Sequence, residues 1–338
     1  MEAVVIKSPG RVVLTQVEDP SVGPGEVAIA VKAAGLCGTD LHIYQGEFPA
    51  SLPLIPGHEF AGEVIEIGQE VSTISVGDRV TVDPNVPCRR CSFCKSHKEH
   101  LCRQFKAYGV NLPGGFAQRV VVREENIYSI GELSYEQGAL IEPLACVLHG
   151  VELVGVNPGE EVLIFGVGPI GLLLAQVCKI KGASTVAAVD LFQEKLDFAK
   201  ALGVDETFRN SPVLPRQIAE RGRFDLVIDA TGVPKVVEAL PKYVQDGGRI
   251  LYFGVCPQGT QIKLDPFDVY RRELKIFGTF SLLANFLPAI NLVKSGRVNV
   301  EAVISHKLAL REIRQAFELA SDRDSRKILL FPSQLGGE

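Results

Sequence analysis

The sequence lacks the features that would direct the chain to a membrane, to nucleic acid or out of the cell. No apolar run has the length of a membrane span, since the longest candidates contain Gly, Lys or Asp. The N-terminal segment Met1–Ile6 has neither the basic start nor the long apolar core of a signal peptide. The formal net charge is −5, which argues against nucleic acid or an anionic membrane as the main partner. We therefore expect a cytoplasmic, globular protein that acts on a small molecule.

Cysteine gives the strongest single pattern in the sequence. Eight cysteines are present, and four of them fall within fifteen residues. In a chain with no export signal, such crowding indicates metal binding instead of a disulfide framework. Four thiolates at this spacing can close a tetrahedron around zinc and leave no coordination position open, which predicts a structural zinc site. An iron–sulfur cluster and free or disulfide-bonded thiols are the alternatives. The four residues are Cys88, Cys91, Cys94 and Cys102.

The pattern of apolar residues changes near residue 150. Before it, short β-branched runs such as 26–32 and 60–67 alternate with turns that contain Gly and Pro, which predicts a small, barrel-like β domain. From Glu161 onward, strand and helix patterns alternate, which predicts a parallel, doubly wound sheet of the α/β class. The predicted strands of this sheet are 162–165, 186–189, 226–229, 250–254 and 274–277, and its predicted helices are 170–181, 192–202 and 236–244. After it we predict helices at 284–293 and 310–320 and a strand at 327–331.

A glycine-rich motif, Gly166-Val167-Gly168-Pro169-Ile170-Gly171, follows the first predicted strand of this sheet and opens a predicted helix. In this context it predicts a dinucleotide site. Gly166 makes the tight turn, Gly168 lets the backbone approach a pyrophosphate, and Gly171 lets the helix pack closely on the strand. Asp190 ends the next strand, and its carboxylate favours ribose hydroxyls and repels a 2′-phosphate, which predicts NAD as the cofactor. A turn that binds no ligand is the alternative.

A second set of metal-binding side chains is dispersed along the chain. Cys37 lies in the first half, His58 and Glu59 are neighbours, and Glu142 precedes a proline. One thiolate, one imidazole and a carboxylate, with water in the remaining position, make up an open catalytic zinc site. The residues alone also allow a plainer interpretation, because a single Cys or His is more often part of the core than a metal ligand.

The segment Gly57-His58-Glu59-x2-Gly62-x5-Gly68-x2-Val71 resembles the signature of the zinc-containing medium-chain dehydrogenases. The four-cysteine cluster and the glycine-rich motif follow it in the order that this family uses, so the resemblance covers essentially the whole chain. It implies a GroES-like, β-rich catalytic domain formed by residues 1–148 and 281–338. It also implies a Rossmann NAD-binding domain at residues 149–280, inserted between those two segments.

Carried over position by position, the resemblance implies that Cys37 and His58 are ligands of a catalytic zinc. The third ligand of alcohol dehydrogenases is a cysteine. Here the matching position is similar to Glu142, as in the polyol and threonine dehydrogenases, and Cys146 is a competing candidate. Glu59 resembles the acidic neighbour that either binds the zinc or lies just behind it. The resemblance thus implies one catalytic and one structural zinc in each chain.

The same resemblance implies a route for the proton of the substrate hydroxyl. Zinc acts as a Lewis acid and lowers the pKa of that hydroxyl. Thr39 lies where the family keeps a Ser or Thr hydroxyl, and His42 lies where it often keeps a relay histidine. The implied route leads from Thr39 through the cofactor ribose to His42 and water. Asp40 matches a carboxylate that orients the His58 ring. Surface positions without a function are the alternative for Thr39 and His42.

Within the family the chain is most similar to the sorbitol (polyol) dehydrogenases, on the segments 37–42 and 142–144. It departs from the animal enzymes at Ile43, where they carry Tyr, and near 281–283, where they carry an Arg-Tyr pair. The implied reaction is hydride transfer between a secondary alcohol (a polyol, sugar alcohol or diol) and NAD, giving the ketone. An L-threonine 3-dehydrogenase, a simple secondary-alcohol dehydrogenase and a non-catalytic NAD-binding protein are alternatives. The family also implies a homo-oligomer, a dimer or tetramer, joined near residues 270–285.

Overall fold

The structure, a computed structural model, describes residues 1–320, 322 and 325–332. The chain divides into two compact units. Unit 1 comprises Met1–Ala145 and the chain from Leu283 onward, and unit 2 comprises Cys146–Leu282. The family resemblance implies these boundaries at 148/149 and 280/281. The first observed boundary lies within one helix, Ile141–Val154, and an unbroken helix offers no loop at which the sequence could be divided.

Short strands dominate the first half of the described chain, and strands and helices alternate from Glu161 onward. The strands are β1 Glu2–Ser8, β2 Arg11–Gln16, β3 Glu26–Leu36, β4 Glu59–Ile67, β5 Arg79–Val82, β6 Asn85–Val86, β7 Lys106–Ala107, β8 Arg119–Arg123, β9 Ile127–Ser129, β10 Glu161–Phe165, β11 Thr185–Asp190, β12 Glu206–Arg209, β13 Phe224–Asp229, β14 Val244–Tyr252, β15 Lys275–Gly278, β16 Ile304–Ala309 and β17 Lys327–Phe331. The helices are α1 Gly38–Gln45, α2 Ser92–Lys95, α3 Tyr135–Ala139, α4 Ile141–Val154, α5 Pro169–Ile180, α6 Gln193–Ala201, α7 Leu214–Arg221, α8 Pro234–Ala239, α9 Pro266–Arg271, α10 Phe286–Lys294 and α11 Ile313–Leu319. Within the residues that the structure describes, no helix is long and apolar enough to cross a membrane.

Strand β3 is the centre of the sheet in unit 1. The order of strands is β16-β17-β3-β4-β5-β9, and β8 pairs with the first half of β3. Val27, Ile29 and Val31 alternate along β3 and are buried with Phe60 and Val80 in one core cluster. This alternation is typical of a strand that turns one face toward the core. The predicted β-rich domain is therefore present in this unit.

The register of this sheet determines where the metal-binding residues lie. The C-terminal end of β3 leads directly into Cys37, and the N-terminal end of β4 directly follows His58. The two strands are antiparallel, and Gly35 pairs with Glu59. Residues that are well separated in the sequence therefore lie at the same end of two neighbouring strands.

Unit 2 contains a sheet of six parallel strands in the order β12-β11-β10-β13-β14-β15. Counted within the unit, this is the order 3-2-1-4-5-6 of dinucleotide-binding folds. Leu163, Phe165, Val189 and Val227 are buried in its core. Strands buried on both faces consist of nearly continuous apolar residues, which is why the sequence revealed them so clearly.

Three elements of unit 2 were not predicted from the sequence. They are β12, α7 and α9. Strand β12 is at the edge of the sheet and includes only one large apolar residue, Phe208, so that its sequence resembles a loop. The two helices have only eight and six residues. The helix predicted at 236–244 ends earlier, at Ala239, and a 3-10 helix containing Pro241 follows. Proline lacks the N–H group that would continue the α-helix.

Candidate active-site residues

Three of the predicted metal ligands converge in unit 1. The ligand atoms of Cys37, His58 and Glu59 all lie within 4.8 Å of one another. Cys37 is the N-cap of α1, and His58 and Glu59 stand at the start of β4. His58 is 7% exposed and Glu59 is 1% exposed. A thiolate, an imidazole and a carboxylate at this separation form a donor set that suits zinc.

Asp40 lies on one side of the His58 ring. Its Oδ1 atom is 3.7 Å from Nδ1 of His58, and its two carboxylate oxygens accept hydrogen bonds from the backbone N–H groups of Cys37 and Gly57 at 2.9 and 3.2 Å. In the described part of the chain, buried Nδ1 of His58 makes no hydrogen bond. A carboxylate on the Nδ1 side leaves Nε2 as the ligand atom for a metal, as in other metal-binding histidines.

The electrostatics around these ligands favour a cation. Burial lowers the pKa of His58, but the neighbouring Cys37 and Asp40 charges outweigh burial and raise that pKa well above 6.5. Burial also raises the pKa of Asp40. Both pKa shifts arise because ionisable groups, among them the acids Cys37 and Asp40, are brought together away from water. A divalent cation among them would stabilise the thiolate and the neutral imidazole, which are the forms that bind metal.

Lys327 is a residue of this site that the sequence analysis did not identify. Its side chain is 4% exposed, and its Nζ lies 2.7 and 2.6 Å from the two carboxylate oxygens of Glu59. The signal in the sequence is a lysine within the apolar strand Lys327–Phe331. A lysine is almost never fully buried without a partner, so its position predicts a buried acid but does not say which one.

Glu142 lies at the start of α4 and is 7% exposed. Its negative charge contributes to the raised pKa values of His58 and Lys327, where burial acts in the opposite direction. It is not one of the three residues whose ligand atoms lie within 4.8 Å of one another. Cys146 follows four residues later in the same helix, is partly buried and forms no disulfide. The choice of Glu142 as the third zinc ligand therefore stays a prediction.

The two residues predicted for the proton route are both in α1. The Oγ1 atom of Thr39 lies 3.8 Å from the sulfur of Cys37. His42 is partly exposed, and its Nδ1 lies 2.8 Å from a carboxylate oxygen of Glu47. The contact with Glu47 restrains the ring and leaves Nε2 for another partner. The relay itself stays a prediction.

The predicted four-cysteine cluster is assembled in the loop between β6 and β7. All four sulfur atoms lie within 4.8 Å of one another, including pairs at 4.0 Å (Cys88 and Cys94) and 3.5 Å (Cys91 and Cys94). A tetrahedral zinc site needs sulfur atoms about 3.8 Å apart, so this cluster fits one ion. Hydrogen bonds from backbone N–H groups lower the pKa of the Cys88 and Cys91 thiols and favour the thiolates that zinc binds. None of the eight cysteines forms a disulfide in the described part of the chain.

The glycine-rich motif of unit 2 forms the turn from β10 into α5. Gly166 has φ +91°, and a Cβ atom on Gly171 would lie 1.8 Å from the carbonyl oxygen of Gly166. Gly168 is the N-cap of α5, and a Cβ atom there would meet nothing within 4 Å. The N–H groups at the start of a helix that follows such a turn are a general binding place for phosphate groups, so the predicted pyrophosphate site stays a prediction. Oδ2 of Asp190 accepts a hydrogen bond from the backbone N–H of Val167 at 3.0 Å.

Comparison of this sequence with known protein families and proteins shows to which family the chain belongs. Residues 23–132 match the family described as alcohol dehydrogenase GroES-like domain, and residues 169–295 match the family described as zinc-binding dehydrogenase. The chain is also 40% identical over 322 residues to the D-altritol 5-dehydrogenase of Agrobacterium fabrum, which covers 94% of this chain and 95% of that protein. The chain belongs to the zinc-containing medium-chain dehydrogenases.

Two further similarities support this membership of the zinc-containing medium-chain dehydrogenases. The D-arabinitol dehydrogenase 1 of Uromyces fabae is 33% identical, over 98% of this chain and 97% of that protein. The crystal structure of a zinc-binding dehydrogenase from Sinorhizobium meliloti bound to NADP has a TM-score of 0.93 and 35% identity, and the match covers 98% of this chain and 99% of that one. The predicted family and the predicted GroES-like and Rossmann fold class are confirmed, and the protein is an oxidoreductase of this family.

Proposed function

We propose that this dehydrogenase oxidises a secondary alcohol of a polyol, sugar alcohol or diol to a ketone and transfers the hydride to NAD. The observation that carries the proposal is the convergence of Cys37, His58 and Glu59 within 4.8 Å in buried surroundings. The D-altritol and D-arabinitol dehydrogenases among its relatives support a polyol as the substrate class. The amino-acid anchor that a zwitterionic substrate needs is not evident in the sequence, so L-threonine is the second choice.

The proposed residues of the catalytic zinc site are Cys37, His58, Glu59 and Glu142, and either Glu59 or water completes the coordination shell. A zinc ion bound there supplies Lewis acidity, which lowers the pKa of the substrate hydroxyl. Asp40 orients the His58 ring from the Nδ1 side. The four-cysteine cluster provides no open position and would hold a second, structural zinc.

In this proposal Thr39 and His42 carry the proton away. Thr39 Oγ1 is adjacent to the Cys37 sulfur, so a hydroxyl group is available next to the metal ligands to accept the proton of the substrate alcohol. His42 is partly exposed and is held by Glu47, so it can release the proton to water. A bound nicotinamide cofactor would supply the acceptor for the hydride of the substrate carbon.

The proposed cofactor is NAD, and the proposed place of action is the cytoplasm. Asp190 is the residue that supports NAD, because a carboxylate at this position favours ribose hydroxyls over a 2′-phosphate. Eight cysteines without a disulfide are what a reducing compartment favours. A homo-oligomer, dimer or tetramer, is proposed near residues 270–285. It is supported by β15 at the edge of the sheet and by the exposed side chains of Tyr270 and Phe280, at 78% and 49%.

An initial-rate screen with NAD tests the proposal directly. The zinc-loaded protein is tested with polyols, diols, simple secondary alcohols and L-threonine, and we expect the highest kcat/KM with a polyol or diol. A higher kcat/KM with L-threonine would identify the protein as an L-threonine 3-dehydrogenase, and a higher kcat/KM with a simple alcohol as a secondary-alcohol dehydrogenase. No turnover with any alcohol, together with about one zinc per chain, would indicate a non-catalytic NAD-binding protein.

Matched variants test the ligand assignment. Cys37→Ala should reduce the zinc content from about two ions per chain to about one and abolish turnover, because it removes a ligand of the catalytic ion only. Glu142→Gln and Cys146→Ala form a pair that distinguishes the two candidates for the third ligand. We expect loss of catalytic zinc only in Glu142→Gln; the reverse result would assign the position to Cys146.

A further inference from the structure

We propose that a groove on the surface of unit 1 is a binding site for a small aromatic anion, such as an aryl phosphate or an aryl carboxylate. The groove lies between the β1–β2 turn and the helices α1 and α11, and its volume is about 560 Å³. Small-molecule sites commonly measure about 300 to 1,000 Å³, so the groove has room for such a ligand. None of the residues proposed for the two zinc sites lines it, and it is therefore a separate site.

Two hydrogen bonds hold the β1–β2 turn against α1. The backbone N–H of Gly10 donates to the carbonyl oxygen of Tyr44 at 2.7 Å, and the Tyr44 hydroxyl donates to the carbonyl oxygen of Gly10 at 3.2 Å. Gly10 has φ +73°, a left-handed conformation that glycine adopts without strain. These contacts of the protein with itself fix two walls of the groove. A preformed site loses less conformational entropy when a ligand binds, which favours affinity.

The less exposed part of the lining is apolar and partly aromatic. Val12 and Phe317 are buried, and Leu41 and Tyr44 are partly buried. The rings of Tyr44 and Phe317 have their centroids 4.9 Å apart and their planes at 50°. Aromatic rings attract a further ring in tilted or offset arrangements, in addition to the gain from burial of its area. This lining therefore favours a flat, apolar ligand body.

The exposed part of the lining has two guanidinium groups. Arg11 and Arg314 are both exposed, and neither side chain forms a hydrogen bond or an ion pair with any residue that the structure describes. Glu318 lies four residues after Arg314 in α11 and is the acid of the lining, which therefore has a net positive charge in a chain of net charge −5. A guanidinium group binds carboxylate or phosphate through two parallel hydrogen bonds. The charge of the groove thus favours an anionic group on the ligand.

Helix α1 separates this groove from the residues proposed for the proton route. Leu41 and Tyr44 are three positions apart and share one face of α1, and both line the groove. Thr39 and His42 are also three positions apart and share a different face of the same helix. A ligand in the groove therefore has no need to displace a substrate from those residues. We expect it to bind to the protein that is already saturated with NADH.

Titration of the zinc-loaded protein with phenyl phosphate, followed by ligand-observed NMR in the presence of saturating NADH, tests the proposal. NADH occupies the predicted dinucleotide site, so the helix N-terminus there cannot account for the binding. We expect a dissociation constant on the order of millimolar or tighter. Inorganic phosphate and phenol each offer only one half of the ligand and should compete about tenfold more weakly. Hydrogen exchange should slow in α1 and α11 and stay unchanged in the four-cysteine loop.

Charge variants of the groove should change the affinity in opposite directions. Arg11→Gln and Arg314→Gln should each weaken the binding of phenyl phosphate by about tenfold, the effect of a hydrogen bond to a charged group. Glu318→Gln should tighten it by about twofold, because it removes a repelling charge that solvent partly screens. A damaged groove would not bind more tightly, so this variant separates charge from folding. Arg297→Gln changes an exposed arginine of unit 1 outside the groove and should leave the affinity unchanged.

The aromatic part of the proposal has a variant of its own. Tyr44→Leu keeps an apolar side chain and removes the ring, so it should weaken phenyl phosphate and leave the affinity for inorganic phosphate unchanged. Equal competition by inorganic phosphate would overturn the preference for an aromatic ligand. Loss of binding when NADH is added, or unchanged affinity in both arginine variants, would overturn the site. A change of oligomeric state in Arg314→Gln, measured by sedimentation, would assign the groove to a contact between copies of the chain and contradict the proposal.

Discussion

Asp190 and Arg209 are register partners on two neighbouring parallel strands, β11 and β12. Oδ1 of Asp190 accepts a hydrogen bond from the backbone N–H of Leu191, and the carbonyl oxygen of Leu191 accepts one from Nε of Arg209 at 3.3 Å. A guanidinium group therefore contacts the residue that follows Asp190, the carboxylate predicted to bind the ribose. If Asp190 binds the ribose, its carboxylate would repel a 2′-phosphate. The Arg209 guanidinium would attract that phosphate, because arginine is well suited to bind phosphate groups.

This relationship gives a prediction about cofactor preference. Asp190→Ala should weaken NADH binding and narrow the difference between NADH and NADPH, because the carboxylate no longer accepts ribose hydroxyls or repels the phosphate. Adding Arg209→Ala should weaken NADPH binding again, by about tenfold, the effect of one charge-assisted hydrogen bond. Dissociation constants from nicotinamide fluorescence measure both effects. If Asp190→Ala leaves the preference unchanged, the ribose contact is assigned to the wrong residue.

The two glycines of the dinucleotide motif should respond differently to alanine. In Gly171→Ala the new Cβ atom would lie 1.8 Å from the carbonyl oxygen of Gly166, so β10 and α5 must separate and the stability of unit 2 should fall by several kcal/mol. In Gly168→Ala the Cβ atom meets nothing within 4 Å, so stability should be nearly unchanged. Chemical denaturation measures the difference, and NADH titration of Gly168→Ala shows whether the new methyl group blocks the pyrophosphate. Equal stability of the two variants would contradict the packing role of Gly171.

Asp83 should make the stability of unit 1 depend on pH. Burial raises the pKa of Asp83 from 3.8 to about 6. The folded protein thus binds this proton more tightly than the unfolded chain does. The resulting stability is fully present below about pH 4 and is lost as the pH rises through about 6.

Asp83→Asn should therefore be more stable than the wild-type protein at pH 7, by about 3 kcal/mol, and the advantage should shrink toward pH 4. The asparagine carbonyl can still accept the hydrogen bond from the backbone N–H of Asn85, which is 2.9 Å long in the wild type. Urea unfolding at several pH values measures the effect. Glu66→Gln, at an exposed position, is the control and should show no such trend. A variant that is no more stable than the wild type at pH 7 would mean that Asp83 ionises normally.

The sequence predicted the elements whose signals are local. The strand 162–165, the glycine-rich turn and Asp190 lie within one short segment, and each residue has a mechanical role that its type reveals. The four cysteines are similarly close together, so their spacing alone predicts a cluster. Strand β12 was not predicted because an edge strand needs few apolar residues, and with it Arg209 was missed as a neighbour of Asp190.

Residues that meet through pairing of distant strands could not be predicted from the residues alone. Cys37 and His58 come together because β3 and β4 pair with Gly35 opposite Glu59, and no local pattern specifies that register. The resemblance to a known family supplied these ligands, but it did not supply Lys327. A buried lysine indicates that an acid lies nearby, while the identity of the acid depends on the strand order β17-β3-β4.

The ion pair between Glu59 and Lys327 joins residues 268 positions apart. On the ribosome, Cys37, His58 and Glu59 emerge together, long before β17 has been synthesised. During this interval the Glu59 carboxylate has no buried ammonium group beside it. Its counter-ion arrives only when β17 pairs with β3. The charge balance of this buried acid is therefore completed late in synthesis, although the acid itself is made early.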